Sequence, residues 1–464
     1  MKAKNFSKAE NNIMKQGRIK KGKIFITTFL LLCPLLCLSQ IQERFPKPDF
    51  ETNYLRPDLI TPTPRAAAWE YIDIFVLAAA LFLATYFAYK LRSRKHIFFL
   101  MVFSLIYFGF FRRGCVCSIG AIQNVSLALF NPVYAIPISV IIFFLLPLVV
   151  ALFYGRTFCA AVCPLGAIQD AVVLKPTKVS KGLENVLGLL PYIYLGLAVL
   201  FAVTGTGFII CQYDPFIGFF RFGADFNMVI FGMSMLVLGT VVARPYCRFL
   251  CPYGVLLNWM SRLSKKHVRI TPNECNNCRL CEESCPFGSI NKPDYSAPPA
   301  NKEADIRRLA RVLVLLPILV FGSGWAGSKL NISLSQQHPT VSLAEEILLE
   351  NSGRRSEMTD ETKAFRASGK PSEELFSEAA SVQQQFKKGG WILGGFIGFV
   401  ICLKFIGLFS RRRQLEYDVD RGTCLSCGRC FSYCPYEQVR LGLLSPEEAD
   451  QLGTKEKKIK QFRA

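Results

Sequence analysis

Hydrophobic residues in this chain are gathered into runs, with the polar residues collected between them. After a basic stretch over residues 1–23 comes IFITTFLLLCPLLCLS, Ile24 to Ser39, interrupted by Pro34. A basic head, a short apolar middle and small residues ahead of Gln40 read as a signal peptide or, uncleaved, as an N-terminal anchor. Seven further apolar runs lie near 70–89, 96–111, 134–153, 184–203, 228–242, 308–325 and 391–409. A helix needs roughly 20 apolar residues to cross a hydrocarbon core, so these predict membrane spans, the second and fifth being short. Between the last two runs lies 326–389, rich in Glu, Ser, Lys and Gln. Its stretches LAEEILLE and ELFSEAASVQQQF place apolar residues three and four apart, which predicts a small helical cap or docking surface.

Charge orients this pattern. The formal net charge is +21, and the basic residues sit at the ends of apolar runs, as in KLRSRK, SRLSKKHVR and RRRQ. Retention of Lys and Arg in cytoplasmic loops explains that placement. A nucleic-acid partner is not expected, because it would want a folded basic face. Counting spans puts Lys90–Lys95, Gly155–Gly182, Arg244–Arg307 and the region from Arg411 onward on the cytoplasmic side. Arg112 and Arg113 break the rule and call for a re-entrant, protein-buried stretch or a different second span.

The candidate chemistry is in the cysteines. The chain has 18 of them and 3 histidines. Haem is not expected, since no C-x-x-C-H occurs and membrane cytochromes need axial ligands within the bundle. CNNCRLCEESCP runs from Cys275 to Pro286, and CLSCGRCFSYCP from Cys424 to Pro435. C-x2-C-x2-C-x3-C-P is the bacterial ferredoxin spacing for [4Fe–4S] clusters, in which the fourth cysteine of each run ligates the other cluster. The expected sets are Cys275, Cys278, Cys281 and Cys434 for one cluster, and Cys424, Cys427, Cys430 and Cys285 for the other. The fold expected is an α-helical polytopic membrane protein with a cytoplasmic α+β ferredoxin domain split by a transmembrane hairpin. An even number of spans between the halves returns both to one face.

Two more repeats follow. GRTFCAAVCPLGAIQD (Gly155–Asp170) and ARPYCRFLCPYGVLLN (Ala243–Asn258) share small-Arg-x-aromatic-Cys-x3-Cys-Pro-x-Gly. Cys159, Cys163, Cys247 and Cys251 are therefore a candidate third site, for a membrane iron–sulfur cluster or for structural turns. CSIGAIQN (Cys117–Asn124) copies CPLGAIQD (Cys163–Asp170) on the outer side, after the cysteine Cys115, and Cys211 falls near the same level. Cys115, Cys117 and Cys211 are a candidate outer redox site. Three thiols are one ligand short of a cube. Asp214 or a partner completes the set, or Cys211 forms a disulfide with Cys115 or Cys117.

These motifs resemble the polyferredoxin-type membrane proteins around NosR, NirI and NapH, over roughly 70–300 and 390–440. The resemblance implies a bacterial inner-membrane electron carrier working between a cytoplasmic donor or quinol and a periplasmic reductase or carrier. A redox-sensing regulator and an assembly factor for a periplasmic metalloenzyme are the alternatives. NosR and NirI carry a large outer flavin domain, whereas only residues 40–68 stand ahead of the first span here, which argues against FMN. The sequence shows no acid/base carboxylate pair, nucleophile triad or phosphate loop, so an electron-transfer component is expected rather than a stand-alone enzyme. The organisation expected is a leader or anchor (1–39), a periplasmic segment (40–68), a five-span core (69–243) and a first ferredoxin half (244–306). A hairpin with its periplasmic loop (307–410) and a second half with a basic tail (411–464) complete it.

Overall fold

The computed structural model describes residues 67–114, 116–174, 176–223, 225–270, 278–293, 302–355, 358–409 and 417–449. The leader and Cys115 and Cys275 lie outside the described residues. Seven main helices stand where the apolar runs predict them among the described residues: α1 (Ala67–Tyr89), α2 (Arg94–Ser104), α3 (Ile138–Tyr154), α4 (Leu190–Val203), α5 (Phe226–Val241), α6 (Lys302–Lys329) and α7 (Ser372–Phe409). Five spans are long and apolar enough to cross a membrane: Ala68–Tyr89, Arg94–Phe111, Gly182–Val203, Val312–Lys329 and Ser372–Ile406. The chain is thus a multi-pass helical membrane protein. Two predicted spans come out short, with 17 residues in α3 and 16 in α5. Helix α3 starts after Pro137, whose own backbone is extended, rather than at residue 134.

Large apolar side chains such as Phe75, Phe82, Phe99 and Ile138 face outward from the bundle, as lipid contact requires. Inside, Leu77, Leu81, Ile97, Phe108, Phe143 and Leu195 share one core with the turns that follow α3 and α5. The irregularity at Arg112 has a local solution. Helix α2 runs on as a π-helical turn, Leu105–Phe111, and Arg112 pairs with Asp73 of α1. Tyr107 donates to the other Asp73 oxygen at 3.0 Å. Asp73 is 1% and Arg112 6% exposed, so the cation is buried in protein and paired there with a carboxylate, although its Nε has no hydrogen-bond partner; burial in protein is what irregular backbone at membrane depth demands. Arg113 stays exposed.

Helices α6 and α7 form a tight antiparallel pair, with Val341, Ala344 and Ile347 of the connecting cap packing on Leu375 and Ala379. Glycines make the approach possible: a Cβ on Gly394 would collide with the Ser323 carbonyl, and one on Gly327 with that of Gly390. Small residues at such positions let membrane helices pack backbone to backbone. The sequence pattern divides an outer helix from a last span near 390, whereas α7 is one helix of 38 residues. Gly389 and Gly390 do not break it, because close packing against Leu200 and Gly327 fixes them.

The two halves that carry the cassettes come together. Strand β1 (Ile290–Asn291) pairs antiparallel with β2 (Asp418–Val419), in the register Ile290↔Val419 and Asn291↔Asp418. That two-stranded ribbon is the only sheet among the described residues, less β structure than an α+β domain leads one to expect. Short helices Leu280–Ser284 of the first half and Arg429–Tyr433 of the second pack on each other, and the second half adds Pro435–Arg440.

Candidate metal centre

Turn geometry sets the cassette thiols. Arg279, Ser426 and Gly428 take positive φ values of 69°, 56° and 73°, so each loop reverses sharply just before its helix. Glycine adopts this at no steric cost; Arg279 and Ser426 do so against preference, which the surrounding loop must hold in place. The reversals turn Cys285, Cys424, Cys427 and Cys430 into one small pocket, lined also by Val268, Phe287, Ile290, Val419, Leu425 and Arg429 among others. These are the four cysteines of the second crossed set. The Ser426 amide donates to Cys424 Sγ at 3.4 Å. Burial pushes the Cys424 thiol up to about 12, with Cys427 and Cys285 adding to it; such thiols ionise only when a metal takes the proton's place. From the other set, Cys434 lies within electrostatic reach of Cys278, and Cys281 is buried beside Cys285, Cys424 and Cys430.

The third candidate site is built twice over. Helix α3 ends at Gly155 (φ 69°), and Arg156, Cys159 and Cys163 follow, with Cys163 capping the helix Pro164–Ala171. Helix α5 ends near Val241, Arg244 takes φ 50°, and Cys251 caps Pro252–Arg262. A proline at the first turn suits both helix starts. The amides of Gly166 and Gly254 donate to Cys163 and Cys251, and burial, with the neighbouring sulfurs, pushes both of these thiols well up. The repeats interlock. Arg244 of the second lies over Gly166 of the first, and Arg156 of the first over Gly254 of the second. The arginines that the repeat carries are therefore walls of the opposite half-site.

Their charge points the same way. Asp170 meets Arg244 at 3.0 Å, Arg94 at 3.1 Å and Arg429 at 3.6 Å. Arg156, 8% exposed, lies 3.8 Å from Cys159 Sγ, and its Nε is buried with no hydrogen-bond partner. Three guanidiniums around one carboxylate, with Arg156 as a fourth cation beside Cys159, leave positive charge near the thiols. Uncompensated buried charge is costly, and four thiolates around a metal cluster would supply the missing negative charge. Among the described residues no group of Cys, His, Asp or Glu closes on a single metal ion. The residues fit an iron–sulfur cube, which spreads its ligands wider than one ion does, and such a group supplies one-electron redox chemistry.

The sites are contiguous. Cys159, Cys285 and Cys427 pack around Ala243, Phe287 and Leu425. The cassette region is also tied to the bundle by Arg94 to the Cys427 carbonyl (3.2 Å), Arg156 to the Gly422 carbonyl (3.1 Å) and Arg92 to Glu437 (2.8 Å). At the opposite face, Cys117 and Cys211 converge on Gly120, where a Cβ would stand 3.7 Å and 3.1 Å from their sulfurs. Tyr246 couples electrostatically to Asp214 and Cys117 on that side and to Cys251 on the other. Sequence reasoning gave no role to Arg156, Arg244, Asp170 or Tyr246; the signal was present, since all four lie inside the repeated stretches.

Fold and motifs together define a polytopic membrane protein with a ferredoxin-type iron–sulfur binding region. The model of a 4Fe-4S binding domain matches residues 136–180 and 225–271, the two interlocked turns. An uncharacterized protein of Methanocaldococcus jannaschii is 29% identical over 39% of this chain and 77% of its own length. NirI of Paracoccus denitrificans is 30% identical over 30% of this chain and 22% of its own. The regulatory protein NosR of Stutzerimonas stutzeri is 23% identical over 48% and 33%. The chain thus spans only a fifth to a third of NirI and NosR. No solved structure matches.

Proposed function

We propose that this chain carries electrons through the membrane along a row of iron–sulfur sites. The carrying observation is the continuous packing from the cassette thiols to the interlocked turns. Two [4Fe–4S] clusters sit in the paired cassette halves, a ferredoxin split by the α6–α7 hairpin, with Cys285 and Cys434 each serving the other half's cluster. The pocket shared by Cys285, Cys424, Cys427 and Cys430 supports that crossing. Cys159, Cys163, Cys247 and Cys251 hold a third cluster. The cassettes face the cytoplasm, in keeping with the basic loops, and take electrons from a soluble donor or quinol. The recipient is an extracytoplasmic reductase or carrier.

Protein purified without oxygen should hold about eight irons per chain for two cubes, and about twelve with the third. Zinc as the main metal would overturn this reading. A redox-sensing role is the second reading, favoured by the relatives named regulatory proteins; it predicts clusters that change state without passing electrons onward.

A further inference from the structure

The far-face thiols lie outside the stretches matched by the 4Fe-4S model, yet two of the inner site's hydrogen bonds recur there; a third differs, since Gln169 Nε2 donates to Cys247 Sγ at 3.3 Å whereas Gln123 Nε2 donates to the Ala198 carbonyl at 3.4 Å. Gln169 Oε1 accepts the Tyr246 amide at 3.0 Å, the residue before Cys247. Gln123, its counterpart in CSIGAIQN, accepts the Ile210 amide at 2.9 Å, the residue before Cys211. The Gly120 amide donates to Cys117 Sγ at 3.2 Å, as Gly166 does to Cys163. Cys117 thus takes the place of Cys163, and Cys211 that of Cys247. The parallel runs one step further. The inner copy reads C-x3-C-P with Cys251 before Pro252; the far copy reads C-x2-D-P with Asp214 before Pro215.

Asp214 is 4% exposed. Its Oδ1 accepts from the amides of Phe216 (2.9 Å) and Ile217 (3.3 Å), while its Oδ2 is buried with no hydrogen-bond partner. Both Cys117 and Cys211 feel its charge. Two sulfurs converging on Gly120 and an unsatisfied carboxylate oxygen within their electrostatic reach thus share one region, the carboxylate one residue nearer in sequence than the inner copy's second thiol.

We propose that Cys117, Cys211 and Asp214 ligate an iron–sulfur cluster on the face opposite the cassettes, with the Asp214 carboxylate standing where the inner copy has Cys251. This rests on the inner turns holding a cluster. Cys115, outside the described residues, is not needed for the likeness. A carboxylate is a harder ligand than a thiolate and favours different metal states, so this site differs electronically from its inner copy. It forms the outer end of the row, with Tyr246 between the two.

The test uses the full-length protein, purified anaerobically, with iron analysis and electron paramagnetic resonance after dithionite reduction. Cys117→Ser, Cys211→Ser and Asp214→Ala should each lose one cluster's iron, about four per chain if it is a cube, and one spectral component, while the cassette signals persist. Asp214→Cys should keep the iron and shift that component, because ligand identity sets the cluster's electronics. Unchanged iron and spectra in all four variants, with cassette iron present, would overturn this site alone. So would a Cys117–Cys211 disulfide recovered from iron-replete wild type by peptide mapping. A wild-type chain without iron at any site overturns this proposal and the reading it rests on together.

Discussion

Asp170 and the arginines around it show how one residue type can hold two domains and set a site's charge. Burial would raise the Asp170 pKa, but Arg244, Arg429 and Arg94 outweigh it and hold the carboxyl well below the usual carboxylate range. A folded-state pKa below the unfolded value, about 3.9, contributes stability that is present above that value and lost as pH falls through the folded one. Because Arg94 and Arg429 join the bundle to the cassette half, acid should loosen that junction. Asp170→Asn should destabilise the protein by about 3–5 kcal/mol, the cost of breaking a buried ion pair, and should flatten the acid limb of a thermal-unfolding series. Equal midpoints for both proteins at pH 7 would refute it. Arg156 makes a separate point. Removing a buried cation beside a cluster disfavours its reduction, so Arg156→Met should lower one potential by on the order of 60 mV, the one-electron equivalent of a tenfold change. A redox titration followed by paramagnetic resonance reads this directly.

At the scale of elements, the hydrophobic runs located all seven main helices, because lipid-facing and core-facing apolar residues both mark a span. Their ends were harder to read. Helix α7 extends through an apparent boundary since polarity changes there while helix geometry does not. The cassettes were legible from spacing alone, but their thin ribbon was not, as strands of two residues leave no period to read. Neither was the interlocking of Arg156 and Arg244, which depends on two turns far apart in sequence meeting in space. In the proposed split ferredoxin, the hairpin is what returns the second cassette half to the first. Gly394→Leu would drive a side chain into the Ser323 backbone; overpacking of this kind costs roughly 1–3 kcal/mol. The variant should lose cassette iron although residue 394 is in neither cassette, whereas Gly322→Leu, on the same hairpin with open space at its Cβ position, should keep it. Iron analysis of both variants in one preparation compares them, and full iron in Gly394→Leu would separate the hairpin from cassette assembly.

For the whole molecule, the decisive quantity is whether charge crosses. A hydrocarbon core of roughly 30 Å is what a conduit must cross, and in the proposed row the interlocked turns and Tyr246, which interacts with Asp214 and Cys117 as well as Cys251, stand between the two ends. A conduit therefore has a specific point of failure. Cys163 is 8% exposed, and its serine variant keeps the size and a polar atom for the Gly166 amide. In sealed vesicles with a cytoplasmic-side donor and an impermeant acceptor outside, Cys163→Ser should leave reduction of the cassette clusters intact. Acceptor reduction should fall at least about tenfold, since removal of a metal-site ligand or its support typically costs 10–100-fold. A sensor gives the opposite pattern: cassette reduction with no acceptor turnover even in the wild type, and no further loss in the variant. Wild-type turnover that Cys163→Ser leaves unchanged would mean that electrons cross by another route, and the row of thiols would then be structural.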